Sequence, residues 1–224
     1  MDADLLQDVM QWDVRTWSRA LPGWQRAVDA HKPANALAIG ERDGGLSLWL
    51  ARQGIAVVCT DLWPFPDTTA AMHERYGVAD RITYALADAT ALQYPDESFD
   101  LVVFKSVIGA LDAKERQRAA IEEMHRVLKP GGQLLFAENL AGTPLHKFLH
   151  DRFTGYYWNH LAWPADSDLF ASFAQVQVRT TGVLANLGRS RRQRDLLGRA
   201  DEVLCRLVPS SWRYMVHGVC AKGR

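Results

Sequence analysis

The sequence predicts an α/β fold. The expected form is a mostly parallel seven-stranded sheet between two helical layers, with an antiparallel C-terminal edge and an N-terminal helical cap. Three observations predict it. From residue 35, short apolar runs alternate with helical patterns, which implies parallel strands joined by right-handed crossovers. The run "SFDLVVFKS" is apolar enough to be buried on both faces. Late in the chain, "AQVQVRTTGVL" and "RYMVHGVCAK" read as two strands around a helix, an arrangement that closes a sheet with an antiparallel edge.

The elements follow in order. Leu5, Leu6, Val9, Met10 and Val14 stand at helical spacing and predict one amphipathic helix over 3–20. Pro22-Gly23 breaks it, and a second short helix runs to about Ala30. "ALAIG" is a short buried strand, Gly44 to Gln53 a helix, "IAVVCTD" a second strand, 66–77 a helix stopped by Gly77, and "RITYALAD" a third strand. After the fourth strand, Asp112 and Glu115 have the spacing of a capping box, and Ile121, Met124, Val127 and Leu128 form the stripe of the helix it opens. "LKPGG" ends that helix and "QLLFAEN" is the fifth strand. Residues 143–152 and 166–173 read as short helices joined by an aromatic loop, and about 190–207 as an arginine-rich helix.

The 224 residues suit one domain with small additions. Lys+Arg and Asp+Glu both number 26, so no global field draws in nucleic acid, and no separate RNA-binding motif is present. Cys59, Cys205 and Cys220 form no metal or redox motif, and their odd number points to a reducing compartment. The N-terminus lacks the basic-then-apolar signature of a signal peptide, and no apolar run approaches the length of a spanning helix. A cytoplasmic protein is expected.

The loop "GERDGG" follows the first strand and lies at the carboxyl end of the sheet, where open parallel sheets bind ligands. Asp61 ends the second strand, at the spacing of a carboxylate that accepts hydrogen bonds from ribose hydroxyls. A dinucleotide requires close approach of its pyrophosphate at the middle glycine of such a loop, and here that place is Arg42. The pattern therefore favours a ribose-bearing cofactor without a pyrophosphate, and S-adenosylmethionine meets that description.

On "LAIGERDGG", "VVCTD", "LADAT" and "FDLVVFKSVIGAL…EEMHRVLKPGGQLLFAEN", in this order and spacing, the chain resembles the class I, Rossmann-like S-adenosylmethionine-dependent methyltransferases of the type 11 kind. The resemblance covers roughly residues 35–140. It implies a three-layer Rossmann-like sandwich with S-adenosyl-L-methionine as cofactor. Carried over by position, it implies that Gly40 and Gly44 shape the glycine-rich loop. Asp61 holds both ribose hydroxyls, with Leu62 beside the adenine. Asp88 receives the adenine amino group, with a backbone contact from Ala89, and the backbone at Phe104 and Lys105 passes the methionine part of the donor. Two positions depart from the family pattern: Ala38 stands where an acid is usual, and Arg42 where a glycine is usual. Glu41 is expected to offset the first by facing the donor's ammonium group, and Arg42 to fold outward.

Residues 1–224 are thus expected to form one methyltransferase domain, with 1–30 as a helical cap and 140–175 as an insertion on the acceptor side. Trp12, Trp17 and Trp24 pack the cap onto the domain or form an aromatic lid. The candidate bases are His146 first, then His160 and Glu138, because a hydroxyl acceptor needs its proton removed and imidazole suits that work. His146 and His150 share a helix face, but no third ligand is evident and no metal is expected. Tyr156, Tyr157, Trp158 and Trp163 suit a sugar or planar ring. "MQWDVRTWSRAL" and "FAENLAGTPLHKFL" are similar to methyltransferases of bacterial surface-polysaccharide pathways, which implies O-methylation of a glycan, sugar nucleotide or lipid-linked precursor. A small aromatic or polyketide acceptor and a non-catalytic binding protein are the alternatives. Arg189, Arg191, Arg192, Arg194 and Arg199 form either a solvated helix face or a contact for a phosphorylated acceptor or the membrane surface. The sequence leaves the oligomeric state open.

Overall fold

The computed structural model describes residues 1–143, 146, 148, 152 and 159–224. Its sheet has seven strands: β1 (Asn35–Ile39), β2 (Ala56–Asp61), β3 (Ile82–Leu86), β4 (Phe99–Lys105), β5 (Leu128–Asn139), β6 (Gln175–Thr181) and β7 (Met215–Ala221). Their order is β3-β2-β1-β4-β5-β7-β6. The first five pair in parallel, and β7 enters antiparallel between β5 and the edge strand β6. The chain reverses direction across the sheet between β1 and β4, so a switch point opens beyond their carboxyl ends.

Alternation along the strands builds two cores. Ala36, Ala38, Leu101, Val103, Leu135 and Ala137 face one layer; Leu37, Ile39, Val102, Phe104, Leu134 and Phe136 face the other. The first layer is made by α1 (Ala3–Met10), α2 (Val14–Trp17), α3 (Leu21–His31) and α4 (Gly45–Ala51), with α5 (Asp67–Arg75) beyond them. The second is built on α6 (Lys114–Val127). The last helix, α7 (Arg191–Leu207), connects β6 to β7.

The elements differ from expectation in five places. The predicted first helix is interrupted, because Gln11 (φ 68°) and Asp13 (φ 41°) adopt positive φ. The turn seats the Asp13 carboxylate 2.6 Å from the Tyr214 hydroxyl at the start of β7. Pro22-Gly23 does not break a helix; Pro22 stands in the first turn of α3, where its missing N–H costs nothing. The Asp112–Glu115 capping box does not form: Ala113 is the N-cap, and Asp112 pairs with Arg116 at 3.4 Å. "LKPGG" is not a loop but the irregular start of β5, with a register shift against Phe99–Leu101. The helix expected over 143–152 falls largely outside the described residues. Residues 167–170 form a single 3₁₀ turn, Ser167–Phe170.

Candidate functional site

The loop after β1 is held from within. Gly40 has φ +67°, and a Cβ there would run into the Val107 side chain from the turn after β4. Glycine is therefore required by the packing of two loops as well as by backbone conformation. Gly44 caps α4 from the left-handed region. Its carbonyl accepts from His73 Nε2 at 2.9 Å, while His73 Nδ1 meets the Tyr84 hydroxyl at 2.5 Å. Burial pushes His73 below the usual imidazole range, so the ring is neutral, with Nε2 as donor and Nδ1 as acceptor. Periodicity does not identify His73 as a support of this loop, because its partners lie 29 and 11 residues away.

Ala38 is fully buried in the first core, and its methyl group has no polar atom to offer a ligand. Glu41 turns inward rather than toward an open ligand space. It is 5% exposed, and its Oε2 accepts the Ser47 N–H at 2.8 Å. It thereby supplies the cap that Gly44 lacks a side chain to give. Desolvation raises its pKa, opposed by the Ser47 N–H and the Lys105 charge. Arg42 and Asp43 are exposed, so Arg42 does fold outward.

At the end of β2, Asp61 is 9% exposed, and its Oδ1 accepts the Trp63 N–H at 2.9 Å. Leu62 beside it is 53% exposed, an open apolar surface next to a carboxylate. Beyond β3, Asp88 Oδ1 accepts the Thr90 N–H at 2.8 Å and the Thr90 hydroxyl at 2.7 Å. Those two bonds hold its carboxyl below the usual range, so it is charged, and Oδ2 lies 3.6 Å from Arg116. Ala89 is buried beside it. Two carboxylates and an exposed apolar side chain thus stand together at the adjacent ends of β2 and β3.

The Phe104 side chain belongs to the second core, stacked on Phe136 at 5.9 Å. Lys105 alternates to the other face. Its ammonium lies 5.4 Å from the Trp17 ring centroid, among the charges of Glu41, Asp43 and Glu138. Burial pushes its pKa down. Ser106 follows in a left-handed conformation (φ 60°), its hydroxyl accepting from Asn139 Nδ2 at 2.8 Å. Backbone strain therefore sits at the switch point, where such conformations are often functional.

The three candidate bases are placed very differently. Glu138 is fully buried: Oε2 accepts the N–H groups of Val107 (2.8 Å) and Ile108 (2.7 Å), and Oε1 that of Asn139 (2.7 Å). Desolvation pushes its pKa up to about 7 against these bonds. His146 is 8% exposed, with Nδ1 accepting from the Thr143 N–H at 3.1 Å and its ring 5.9 Å from Tyr214. Burial lowers its pKa. His160 is half-buried between two anchors: the Asn159 N–H donates to Gly109 (2.7 Å), and Leu161 bridges to Leu140. It therefore spans the turns that follow β4 and β5. Gln117 of α6 secures this stretch by donating to both Ile108 O (3.1 Å) and Asn159 O (2.7 Å). His150, Tyr156, Tyr157 and Trp158 lie outside the described residues. Among the described residues, no three His, Cys, Asp or Glu side chains group as metal ligands.

Residues 37–136 match the protein family described as "Methyltransferase domain". Over 62 residues the chain is 42% identical to the ubiquinone/menaquinone biosynthesis C-methyltransferase UbiE of Hydrogenovibrio crunogenus, a stretch that is 28% of this chain and 23% of that protein. The aligned part amounts to 23–32% of the length of such curated relatives. Phosphoethanolamine N-methyltransferase 2 of Haemonchus contortus, solved with S-adenosyl-L-methionine, superposes with a TM-score of 0.66 at 18% identity, over 93% of this chain and 53% of that one. A putative sarcosine dimethylglycine methyltransferase from Galdieria sulphuraria gives 0.63 at 15% identity, over 89% and 83%.

Proposed function

Given that the chain carries a class I S-adenosylmethionine-dependent methyltransferase domain, we propose that it methylates a hydroxyl oxygen of a sugar, glycan or lipid-linked glycan precursor. When bound, S-adenosylmethionine supplies a methyl group already activated by its sulfonium. The chain's own work is alignment, exclusion of water and handling of one proton. Asp61 holds the ribose hydroxyls, Leu62 lies against the adenine, and Asp88 with the Ala89 backbone takes the adenine edge. The backbone at Phe104 and Lys105 would pass the methionine part of the donor.

The observation that carries the hydroxyl reading is His160. A hydroxyl is a weak nucleophile until its proton leaves, and an imidazole receives that proton near neutral pH. Of the three candidates, His160 alone is both partly open to solvent and carried on the stretch joining the turns at the switch point. Glu138 and His146 are both buried away from solvent. They are better read as supports of the same region. His160→Ala should lower turnover more than tenfold while leaving S-adenosylhomocysteine affinity unchanged; wild-type turnover would remove His160 as the base.

A second reading, methylation of a ring carbon in a quinone precursor, is favoured by the relatives named for ubiquinone and menaquinone biosynthesis. Reaction with donor labelled in the methyl carbon separates the two. Sugar nucleotides and lipid-linked sugars are offered beside prenylated hydroquinones, and carbon NMR of the product distinguishes an O-methyl from a C-methyl group. Label confined to C-methyl products would overturn the hydroxyl reading.

A membrane-borne acceptor fits the surface of α7. Leu196, Val203 and Leu207 are 61–75% exposed, and Trp212 beyond the helix is 50% exposed. Arg192 and Arg199 lie on the same exposed side, within the 189–199 cluster. An apolar stripe beside a cationic one suits the interface of an anionic bilayer. Among the described residues, no helix is long and apolar enough to cross a membrane. Cys59, Cys205 and Cys220 are free thiols, which supports a cytoplasmic setting.

A further inference from the structure

The β6–β7 end of the sheet carries a feature that methyl transfer does not use. Gln177 pairs with Val219 and Arg179 with His217, so these four side chains share one face of the sheet. The N-terminal helices stand on one side of that face and α7 on the other, leaving a cleft of about 1020 Å³. Five arginines line it: Arg15, Arg19 and Arg26 from the N-terminal segment, Arg179 from β6 and Arg206 from α7.

The charges do not cancel. Glu202 is the one acidic residue among the cleft's lining residues, and it is already engaged by Arg15 at 2.6 Å and Arg19 at 3.6 Å. Arg15 also holds Asp195 at 3.1 Å. Among the described residues, no carboxylate lies within 4.0 Å of Arg26, Arg179 or Arg206. His217 on the floor is 8% exposed and held neutral by burial and by the Arg179 and Arg19 charges. In a chain whose acidic and basic residues balance, this is a local concentration of unpaired guanidinium groups. Such groups present planar forks that fit phosphate oxygens two at a time.

The cleft is separate from the donor site. Asp61 ends β2 and Asp88 follows β3, whereas the cleft floor is β6, β7 and Gln133 of β5, with β1 and β4 between. We propose that this cleft is a binding site for a phosphoryl group, a phosphomonoester or diphosphate, held by Arg26, Arg179 and Arg206 over the β6–β7 face. The proposal does not depend on the nature of the methyl acceptor. The phosphoryl group belongs either to a soluble molecule or to a lipid headgroup.

Titration calorimetry with inorganic pyrophosphate tests the soluble source, and sedimentation with phosphatidylglycerol vesicles, against phosphatidylcholine vesicles, tests the lipid source. The variant is Arg26→Gln/Arg179→Gln, which leaves α7 and its exposed stripe intact. S-adenosylhomocysteine affinity and Tm serve as controls for folding. The expected result is binding of pyrophosphate, or selective binding of the anionic vesicles, by the wild type, weakened at least about tenfold in the variant. Pyrophosphate binding assigns a soluble ligand, and vesicle binding alone assigns a headgroup. Arg206→Gln, a single substitution on the opposite wall, should weaken the same binding. No binding of either probe at millimolar phosphate, or equal binding by wild type and both variants, would overturn the proposal.

Discussion

The two sides of the switch point use acidic residues in opposite ways. On the β2–β3 side, Asp61 and Asp88 stand at strand ends with one oxygen committed to a local backbone N–H. On the β1–β5 side, Glu41 and Glu138 are buried and directed at backbone N–H groups of neighbouring turns. The first pair can still take hydroxyls and an amino group from a ligand. The second pair holds the turns that follow β1, β4 and β5. A carboxylate at the carboxyl end of a parallel sheet is therefore not by itself a ligand site; what decides is whether its lone pairs are already taken.

The largest effect should come from the most committed acid. Glu138→Ala leaves the N–H groups of Val107, Ile108 and Asn139 without their acceptor, at a cost of about 3 kcal/mol or more. Tm should fall by about 6–12 °C. A fall of under about 2 °C by calorimetry would mean that Glu138 does not hold the turn.

The pH dependence of stability should divide the two sides. The pKa of Glu138 is raised to about 7, so the folded state favours its protonated form. Its stabilising contribution is full below the unfolded value of about 4.5 and is lost as pH rises through about 7. Relative to Glu138→Gln, the wild type should lose about 3 kcal/mol across that window. The folded pKa of Asp88 is depressed by Thr90, so its contribution is present above the unfolded value and is lost as pH falls through the folded one. Asp88→Asn should flatten the acid limb of the stability profile and leave the neutral limb unchanged. Denaturant titrations from pH 3 to 8 measure both, and slopes of the same sign for the two residues would break the comparison.

Smaller effects sharpen it. Asp61→Ala should weaken S-adenosylhomocysteine binding about 10- to 100-fold, because its carboxylate should hold two hydroxyls, while ligand-free stability changes by less than about 1 kcal/mol. A large stability loss with unchanged affinity would put Asp61 with the supporting acids. Arg42→Ala should change neither stability nor affinity beyond about 0.5 kcal/mol, because the side chain faces solvent. A tenfold change in donor affinity would show that Arg42 folds back over the ligand.

The alternation of strands and helices was legible because each element carries its own period, and the seven strands follow from it. The place of Asp61 at the end of β2 was legible for a related reason: its signal is a spacing along a single chain segment. Glu138 was visible as a residue at the end of β5 but not as a support, since its partners lie about 30 residues upstream in the turn after β4. His73 has the same difficulty. The break between α1 and α2 was hidden because apolar spacing carries through Asp13, whose left-handed backbone serves a tyrosine 201 residues away. The Asp112–Glu115 motif satisfied a local rule, but the chain starts its helix later, and Asp112 bonds Arg116 instead. Local codes predicted elements; long-range hydrogen bonds decided which polar groups remain for a ligand.

Gly45 has one more consequence. A Cβ there would strike the Val9 carbonyl, so α1 rests directly on the first turn of α4, the helix that the donor loop begins. Nearby, Trp24 of α3 and Trp49 of α4 lie with ring centroids 6.0 Å apart, both almost fully buried. The molecule thus has a built-in optical reporter: loosening of the N-terminal segment from α4 would expose an indole pair to water and shift its emission to the red. Because the chain has eight tryptophans, the difference in emission between the protein and its Trp24→Phe variant follows the seating of that segment.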